Sequence, residues 1–187
     1  IAEADTAAPL DLVIANAGIS LGTGDSGPEP AEQVRRLYAV NVDGLMNTVL
    51  PALERMRTRR SGQIALMSSL AGFRGFPGAP AYCGSKAAVR VFGEGLRPMA
   101  PREGIAVNVI CPGYVRSPMT AVNDFPMPFL MEVDRAAEVI RRGLARNKAR
   151  IAFPWPGYAT VLLLQMLPPS WIDRLMARLP TKGGSGS

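Results

Sequence analysis

The pattern of apolar and polar positions predicts four short strands, each followed by a loop or a helix. Apolar runs that stop at polar, Gly or Pro residues occupy 12–15, 63–67, 105–110 and 151–153, which is typical of buried parallel strands. Apolar residues at helical spacing predict helices over about 30–57, 81–96 and 134–146, the last with Asp134 as its N-cap. This alternation predicts an α/β protein with a parallel sheet, helices on both faces and a ligand site at the carboxyl ends of the strands.

The residues after the fourth strand predict a helical tail. Two short apolar segments are joined by Pro168 and Pro169, and Ser170 is a suitable N-cap for the second of them. We expect this tail either to pack on the protein's own core or on a sister subunit, or to lie in a membrane interface, since its helices are too short to span a bilayer. The predicted divisions are a catalytic domain over 1–155, the tail over 156–182 and a linker or tag remnant over 183–187.

The composition excludes several classes of chemistry. The chain has 187 residues, of which 48% are hydrophobic and 19% charged, as expected of a globular protein with a core. It has no histidine and two cysteines, which excludes Ser-His-Asp and Cys-His nucleophile systems and predicts no metal site. We interpret Cys83 and Cys111 as small buried thiols. Acid-base chemistry must then come from Tyr, Lys, Asp or Glu.

The net charge of +6 comes from 18 arginines, several of them clustered at 55–60 and 141–150. Such clusters are typical of solvated carboxyl ends of helices, and docking of an anionic partner or a membrane surface is the alternative. The basic residues are not interleaved with aromatic ones, and the sequence contains no known motif for nucleic-acid recognition. We therefore predict no nucleic-acid partner.

Tyr82 and Lys86 are the first candidates for acid-base catalysis. They are four residues apart on a predicted helix, so their side chains share a face, and an ammonium beside a phenol favours the phenolate. Taken alone the pair is weak evidence and is compatible with surface residues. Its context strengthens the case, because Ser69 follows the second predicted strand and Asn41 lies inside a long predicted helix.

These residues together resemble the short-chain dehydrogenase/reductase family, whose sheet is of the doubly wound Rossmann type. The resemblance extends from about residue 11 to residue 153 and rests on motifs in the family's order and spacing: Asn16-Ala17-Gly18, Asn41, Ser69, Tyr82 with Lys86, and the segment Pro112-Gly113-Tyr114-Val115-Arg116-Ser117. The chain would then represent the last four strands of that sheet, with their helices and the tail. Its ending resembles the hydroxysteroid and retinoid-type reductases.

The resemblance implies a role for each matched residue. Tyr82 would exchange a proton with the substrate oxygen, which Ser69 would orient. Lys86 would lower the pKa of Tyr82 and hold the ribose of a nicotinamide cofactor, and Asn41 would support a water in the proton relay. Asn16, Ala17, Gly18, Pro112, Gly113, Val115 and Ser117 would contact the cofactor, NAD(P)(H), with NADP(H) preferred. The implied activity is hydride transfer between that cofactor and an alcohol or ketone.

The substrate and the partners follow from further patterns. Apolar residues on the two loops expected over the site favour a hydrophobic substrate, unless they serve only loop packing: Leu70, Phe73, Phe76, Met119, Phe125, Met127, Phe129 and Leu130. We expect a cytoplasmic homodimer or homotetramer, formed by the helices that bear Asn41 and Tyr82. Val89, Val91, Phe92 and Leu96 give the second of these helices a surplus of apolar surface.

One motif of the family is absent from the sequence. The glycine-rich phosphate turn should precede the strand at 12–15, where only ten residues come before Asp11. We therefore expect Leu12, Val13 and Ile14 to form an unpaired apolar edge, and an additional N-terminal segment, on the same chain or another, to complete the functional molecule. The alternatives to a dehydrogenase are a non-catalytic truncated or split module of this fold, and a lyase or epimerase of the same superfamily.

Overall fold

The computed structural model describes residues 1–23 and 27–176. Its four strands form one parallel sheet in the order β1-β2-β3-β4. They are β1 (Leu12–Ala15), β2 (Gly62–Met67), β3 (Ile105–Pro112) and β4 (Arg150–Phe153). The predicted α/β class is confirmed, and each predicted strand lies within two residues of its observed bounds. Because all four strands run in one direction, their carboxyl ends meet at a single edge of the sheet.

The helices connect and cover these strands. In chain order they are α1 (Ala2–Ala7), α2 (Ala31–Tyr38), α3 (Gly44–Arg59), α4 (Pro80–Leu96), α5 (Pro118–Ala121), α6 (Val133–Ala145), α7 (Trp155–Met166) and α8 (Pro169–Met176). Neither α1 nor α5 is predicted by the sequence pattern. Helix α5 forms in the loop after β3 because Ser117 and Thr120 cap it reciprocally, each side chain accepting from the other's backbone N–H.

The long helix predicted over 30–57 is two helices in the structure. A π-helical turn over Ala39–Asp43 separates α2 from α3. Single π turns inside α-helices are frequent at functional sites, because the wider turn moves one side chain out of register. Asn41 is the residue at the centre of this turn.

Two predicted helix caps are wrong. The residue before α6 is Glu132, and Asp134 is the second residue of the helix, where its charge still complements the helix dipole. Ser170 is likewise the second residue of α8, because that helix begins at Pro169, whose fixed φ suits a first helical turn.

The core has two layers, one on each face of the sheet. Helices α3 and α4 cover one face, where Val49 and Val89 pack against Ile64 and Leu66 of β2. Neighbouring strand residues point to opposite faces, so Ala65 of β2 lies on the other face, in the cluster that α6 covers. This arrangement leaves the carboxyl edge of the sheet free for a site.

Strand β1 forms one edge of the sheet and, among the described residues, pairs only with β2. Leu12 and Ile14 are 40% and 42% exposed. The predicted apolar edge is therefore present for these two residues. It is wrong for Val13, which is buried in the core beside α3.

The predicted tail begins as a helix docked on the protein's own core. Val161 of α7 packs on Leu70 and Phe73, and the ring of Tyr158 meets that of Phe73 edge to face at 5.6 Å. Trp155, Leu163 and Met166 remain exposed. No helix within the described ranges is long and apolar enough to cross a membrane. The end of the tail and the predicted linker over 183–187 lie outside the described residues.

Candidate active site

The predicted site residues lie where three neighbouring strands end. Asn16, Ala17 and Gly18 follow β1, Ser68 and Ser69 follow β2, and Pro112 and Gly113 end and follow β3. Helix α4 brings Tyr82 and Lys86 to the same edge, and the π turn brings Asn41. The structure therefore gathers residues that are up to about one hundred positions apart in the sequence.

Asn41 is a buried polar side chain that binds the backbone after Gly18. It is 1% exposed. Its Oδ1 accepts from the N–H of Ile19 at 2.7 Å, and its Nδ2 donates to the carbonyl of Ile19 at 2.9 Å and to Oγ of Ser85 at 3.0 Å. Since every one of these partners is a protein group, the amide acts here as a rigid link between the π turn and the loop after β1.

Lys86 is buried and points to the end of β2. Its Nζ donates to the carbonyl of Met67 at 2.9 Å and lies 5.9 Å from the centre of the Tyr82 ring. A Cβ added at Gly18 would lie 3.2 Å from this Nζ and 3.1 Å from Oδ1 of Asn41, so a larger residue would crowd both groups. Burial lowers the pKa of Lys86 to about 8.

Tyr82 is half-buried, and its environment opposes ionisation. Burial raises the pKa of Tyr82 to about 12, and the neighbouring hydroxyl of Ser69 acts in the opposite direction. The sequence leads us to expect a pKa lowered by Lys86. The structure differs because desolvation of the phenol dominates, while the ammonium is engaged by the carbonyl of Met67.

Ser69 is fixed at the start of a 3₁₀ turn over Leu70–Gly72. Its Oγ accepts from the N–H of Ala71 at 3.1 Å and donates to the carbonyl of Pro112 at 3.3 Å. These bonds place the hydroxyl between the ends of β2 and β3.

Two further serines that sequence reasoning missed lock helix α4 in place. Oγ of Ser85 accepts from Asn41 and donates to the carbonyl of Tyr82 at 2.8 Å. Oγ of Ser68 donates to the carbonyl of Lys86 at 2.7 Å. Each serine is adjacent to a motif residue, which is the signal that could have identified it.

The segment after β3 is held by backbone and side-chain bonds. The N–H of Gly113 donates to the carbonyl of Phe153 at 2.7 Å, and Val115 forms a β-bridge with Met131. Ser117 caps α5, with its Oγ accepting from the N–H of Thr120 at 3.3 Å. Val115 and Ser117 therefore lie on a segment after β3 that these bonds hold in place.

The apolar residues expected over the site divide into two groups. Leu70 and Phe73 belong to the core beneath α7, which favours loop packing over a substrate pocket for these two residues. Met119 and Phe129 are exposed, and the ring of Phe125 meets that of Tyr114 edge to face at 6.1 Å.

Cys83 and Cys111 are free and buried, as predicted. The described residues contain no group of three metal-binding side chains of the His, Cys, Asp or Glu type.

The parallel sheet with helices on both faces defines an α/β protein of the Rossmann type, and Ser69, Tyr82, Lys86 and the buried Asn41 lie at the carboxyl edge of its sheet. The family model described as short chain dehydrogenase matches residues 2–125. The chain belongs to the short-chain dehydrogenase/reductase family.

Its relatives include an uncharacterized oxidoreductase of Myxococcus xanthus, 42% identical over 170 residues, which are 91% of this chain and 67% of that protein. The uncharacterized oxidoreductase Rv0945 of Mycobacterium tuberculosis is 38% identical over 168 residues, 86% of this chain and 63% of that protein. The chain thus spans about two thirds of the length of these curated relatives.

Solved structures share the fold. A short-chain dehydrogenase from Sphingobium yanoikuyae in complex with NADPH has a TM-score of 0.74 at 24% identity, and the match covers 92% of this chain and 67% of that one. The bulky-bulky ketone specific alcohol dehydrogenase from Comamonas testosteroni has a TM-score of 0.72 at 21% identity, with 96% and 69% covered.

Proposed function

We propose that the protein is an NAD(P)(H)-dependent oxidoreductase that transfers a hydride between the nicotinamide and a hydrophobic alcohol or ketone. The observation that carries this proposal is the arrangement of Tyr82, Ser69 and Lys86 around one point at the carboxyl edge of the sheet. The hydroxyl of Ser69 is near enough to the phenol to lower the pKa of Tyr82, and Nζ of Lys86 lies 5.9 Å from the centre of the Tyr82 ring. The hydroxyls of Tyr82 and Ser69 could both hydrogen-bond to one carbonyl oxygen of a substrate, with the ammonium of Lys86 close by. Such an arrangement suits the reduction of a carbonyl group.

The residues present fit the nicotinamide end of such a cofactor. Gly18 leaves its Cβ position open beside Nζ of Lys86, where a ribose hydroxyl could accept from the ammonium. The backbone of Asn16 and Ala17 on one side and that of Gly113 and Val115 on the other would line the ring. When bound, the cofactor supplies or accepts the hydride.

Tyr82 would handle the proton. With a pKa of about 12 the phenol keeps its proton at neutral pH, so it can donate to the oxygen of a ketone that is being reduced. Ser69, held by Ala71 and Pro112, would hold that oxygen by a second hydrogen bond. In the direction of alcohol oxidation the phenol must first lose its proton, so the rate in that direction should rise with pH until Lys86 loses its charge.

The loop between β3 and α6 supports an apolar substrate. Tyr114 and Phe125 meet edge to face at 6.1 Å, and Met119 and Phe129 are exposed on the same loop. These side chains offer apolar surface and few hydrogen-bonding groups, which favours a hydrophobic ketone over a sugar.

We prefer NADP(H) as the cofactor, in keeping with the net charge of +6 and the additional phosphate of that dinucleotide.

A homodimer or homotetramer is part of the proposal. Leu50 of α3 and Val91 of α4 are 53% and 56% exposed, although both are large and apolar. Of the four apolar residues expected to form a surplus on α4, Val91 alone has this role: Val89 is fully buried, and Phe92 and Leu96 pack on the core. A second copy would cover Leu50 and Val91.

The test uses the full-length gene product. Absorbance of the reduced nicotinamide is followed with NADPH and with NADH, against apolar ketones and, as the matched polar set, sugar aldehydes and ketoses. The proposal expects consumption of the reduced cofactor with the apolar set and a preference for NADPH. Substrate conversion with no net change in cofactor would contradict it in favour of a lyase or epimerase, and absence of cofactor binding in favour of a non-catalytic module.

A further inference from the structure

The helix that carries Tyr82 and Lys86 begins without a cap of its own. The residue before α4 is Ala79, whose side chain has no acceptor, and Pro80 opens the first turn. The first N–H groups of a helix have no partner within the helix and need one from elsewhere. For α4 that partner comes from a distant part of the chain.

The carboxylate of Glu29 supplies it. Its Oε2 accepts from the backbone N–H of Ala81 at 2.9 Å, across 52 positions of sequence. The other oxygen, Oε1, is buried and has no hydrogen-bond partner within the described part of the chain. A negative charge at a helix N-terminus complements the helix dipole, which makes this contact favourable in charge and in geometry. Ala81 directly precedes Tyr82.

The chain near Glu29 contacts the starts of both α2 and α4. Glu29 precedes Pro30, the N-cap residue of α2, and α2 leads into the π turn with Asn41. Upstream in the same loop, the N–H of Thr23 donates to the carbonyl of Gly78 at 3.0 Å, just before α4. Glu29 thus joins the starts of the two helices that bring Asn41 and Tyr82 to the site.

The segment of α2 and its π turn contacts helix α4 at a second place, beyond the first turn of α4. Asn41 and Ser85 are hydrogen-bonded at 3.0 Å, and a Cβ at Gly84 would collide with the hydroxyl of Tyr38. Side-chain packing therefore fixes the middle of α4 against the α2 segment. At the first turn of α4, the carboxylate of Glu29 makes the contact. Loss of that group would leave the first turn of α4, and with it Tyr82, free to shift.

We infer that Glu29 is a positioning residue, which sets the place of Tyr82 by capping helix α4 from the loop before α2. The inference rests on the proposed function, because it concerns the same proton donor. Catalysis of this kind is sensitive to small displacements of the donor, so loss of the cap should lower the rate of the chemical step far more than it weakens cofactor binding.

Three substitutions separate the cap from the charge. Glu29→Ala removes both, Glu29→Asp keeps the charge but shortens the side chain, and Glu29→Gln keeps an oxygen at the right reach without the charge. Glu32→Ala is the matched control, since Glu32 is an exposed carboxylate in the first turn of α2. Each variant is made in the full-length gene product, beside Tyr82→Phe.

We expect kcat to fall about tenfold or more in Glu29→Ala and Glu29→Asp, with KM for the cofactor changed less than about twofold. Glu29→Gln should restore kcat to within about threefold of wild type, and Glu32→Ala should match wild type. Amide hydrogen exchange at Ala81 and Tyr82, measured without cofactor or substrate, should be faster in the Ala and Asp variants alone. This second measurement stays informative even if Glu29→Ala folds poorly, because Asp and Gln remain to be compared.

The inference is overturned if folded Glu29→Ala and Glu29→Asp keep wild-type kcat and exchange, or if Glu29→Gln loses as much kcat as Glu29→Asp. The Tyr82→Phe variant distinguishes this failure from that of the proposed function. If Tyr82→Phe is inactive and the Glu29 variants are unaffected, the positioning role alone is rejected. If Tyr82→Phe keeps full activity, the proposed mechanism is rejected.

Discussion

Asn41 and Ser85 lie 44 positions apart in the chain and share a buried hydrogen bond of 3.0 Å. Through it the π turn after α2 is joined to the helix that carries Tyr82, because Oγ of Ser85 also donates to the carbonyl of Tyr82. The other bonds of the Asn41 amide reach Ile19, after the first strand. One side chain thus connects three of the segments that form the site.

Substitution of Ser85 tests the strength of this connection. Ser85→Ala leaves one N–H of Asn41 buried without its partner, which should lower the free energy of unfolding by about 1–3 kcal/mol. Urea unfolding measures this, with Ser61→Ala as the control because Ser61 is exposed. Equal stability of the two variants would contradict the role of Ser85.

Tyr82→Phe tests the proton donor. The substitution removes one hydroxyl and keeps the ring, so the fold should persist while turnover falls about 10²- to 10⁴-fold. Tyr38→Phe is the control, since it removes a hydroxyl from the helix pair outside the proposed proton path. Steady-state rates are compared after circular dichroism has shown that both variants are folded. Wild-type turnover in Tyr82→Phe would exclude the phenol as proton donor.

Much of the fold follows from the sequence because strand and helix periodicities are local signals. The apolar runs at 12–15 and 105–110 and the spacing over 81–96 are each contained within one element. The motif residues could likewise be placed at strand ends, since a parallel sheet brings all its carboxyl ends to one edge. The predicted residues Ser69, Tyr82 and Lys86 meet there.

What the sequence does not provide depends on contacts between distant residues. The pKa of Tyr82 depends on how far the folded chain excludes water from it, and no spacing between Tyr82 and Lys86 encodes that. Leu70 and Phe73 lie on a loop near the site, yet α7 covers them, so their chemistry alone could not decide between core and pocket. Glu29 belongs to no motif, and its partner Ala81 becomes apparent only in the folded chain.

The proposed subunit interface can be tested by substituting a charged residue for an exposed apolar residue of α4. Val91→Lys places an ammonium on the exposed apolar face of α4, where a contact with a second copy would bury it, so the oligomer should dissociate. Val122→Lys is the control, because Val122 is 74% exposed and lies outside α3 and α4. Light scattering at micromolar concentration gives the mass of each variant. A monomeric wild-type protein, or an unchanged oligomer in Val91→Lys, would contradict this interface.

Gly72→Ala tests how closely the Ser69 turn must approach α4. A Cβ at Gly72 would lie 2.8 Å from the carbonyl carbon and oxygen of Lys86, which are backbone atoms that cannot rotate away. The two elements must therefore separate, at a cost of about 1–3 kcal/mol in the free energy of unfolding. Turnover should fall as well, since Ser69 and Lys86 lie on opposite sides of this contact.

Gly75→Ala is the matched control for this substitution. It makes the same change three residues further on, where no atom lies within 4 Å of the added Cβ. Thermal unfolding and steady-state kinetics of both variants give the comparison. If Gly72→Ala is as stable and active as Gly75→Ala, the backbones of Gly72 and Lys86 can accommodate the added methyl group, and the prediction is wrong.

The lowered pKa of Lys86 predicts an alkaline limit for ketone reduction. Because burial lowers this pKa to about 8, the ammonium form prevails below that pH and is lost as the pH rises through it. The phenol of Tyr82, with a pKa of about 12, keeps its proton over the same interval and contributes no limit there. The value of kcat/KM for the cofactor, which reports the free enzyme, should therefore fall about tenfold per pH unit above about 9.

Two variants assign this limit to Lys86. In Lys86→Arg the guanidinium stays charged, so the decline between pH 8 and 10 should disappear even if the rate at pH 7 is lower. In Lys86→Met no cation is present, and kcat/KM should be low at every pH with no decline in this range. A wild-type profile that is flat from pH 7 to 10, or one whose decline persists in Lys86→Arg, would mean that the charge of Lys86 does not hold the cofactor.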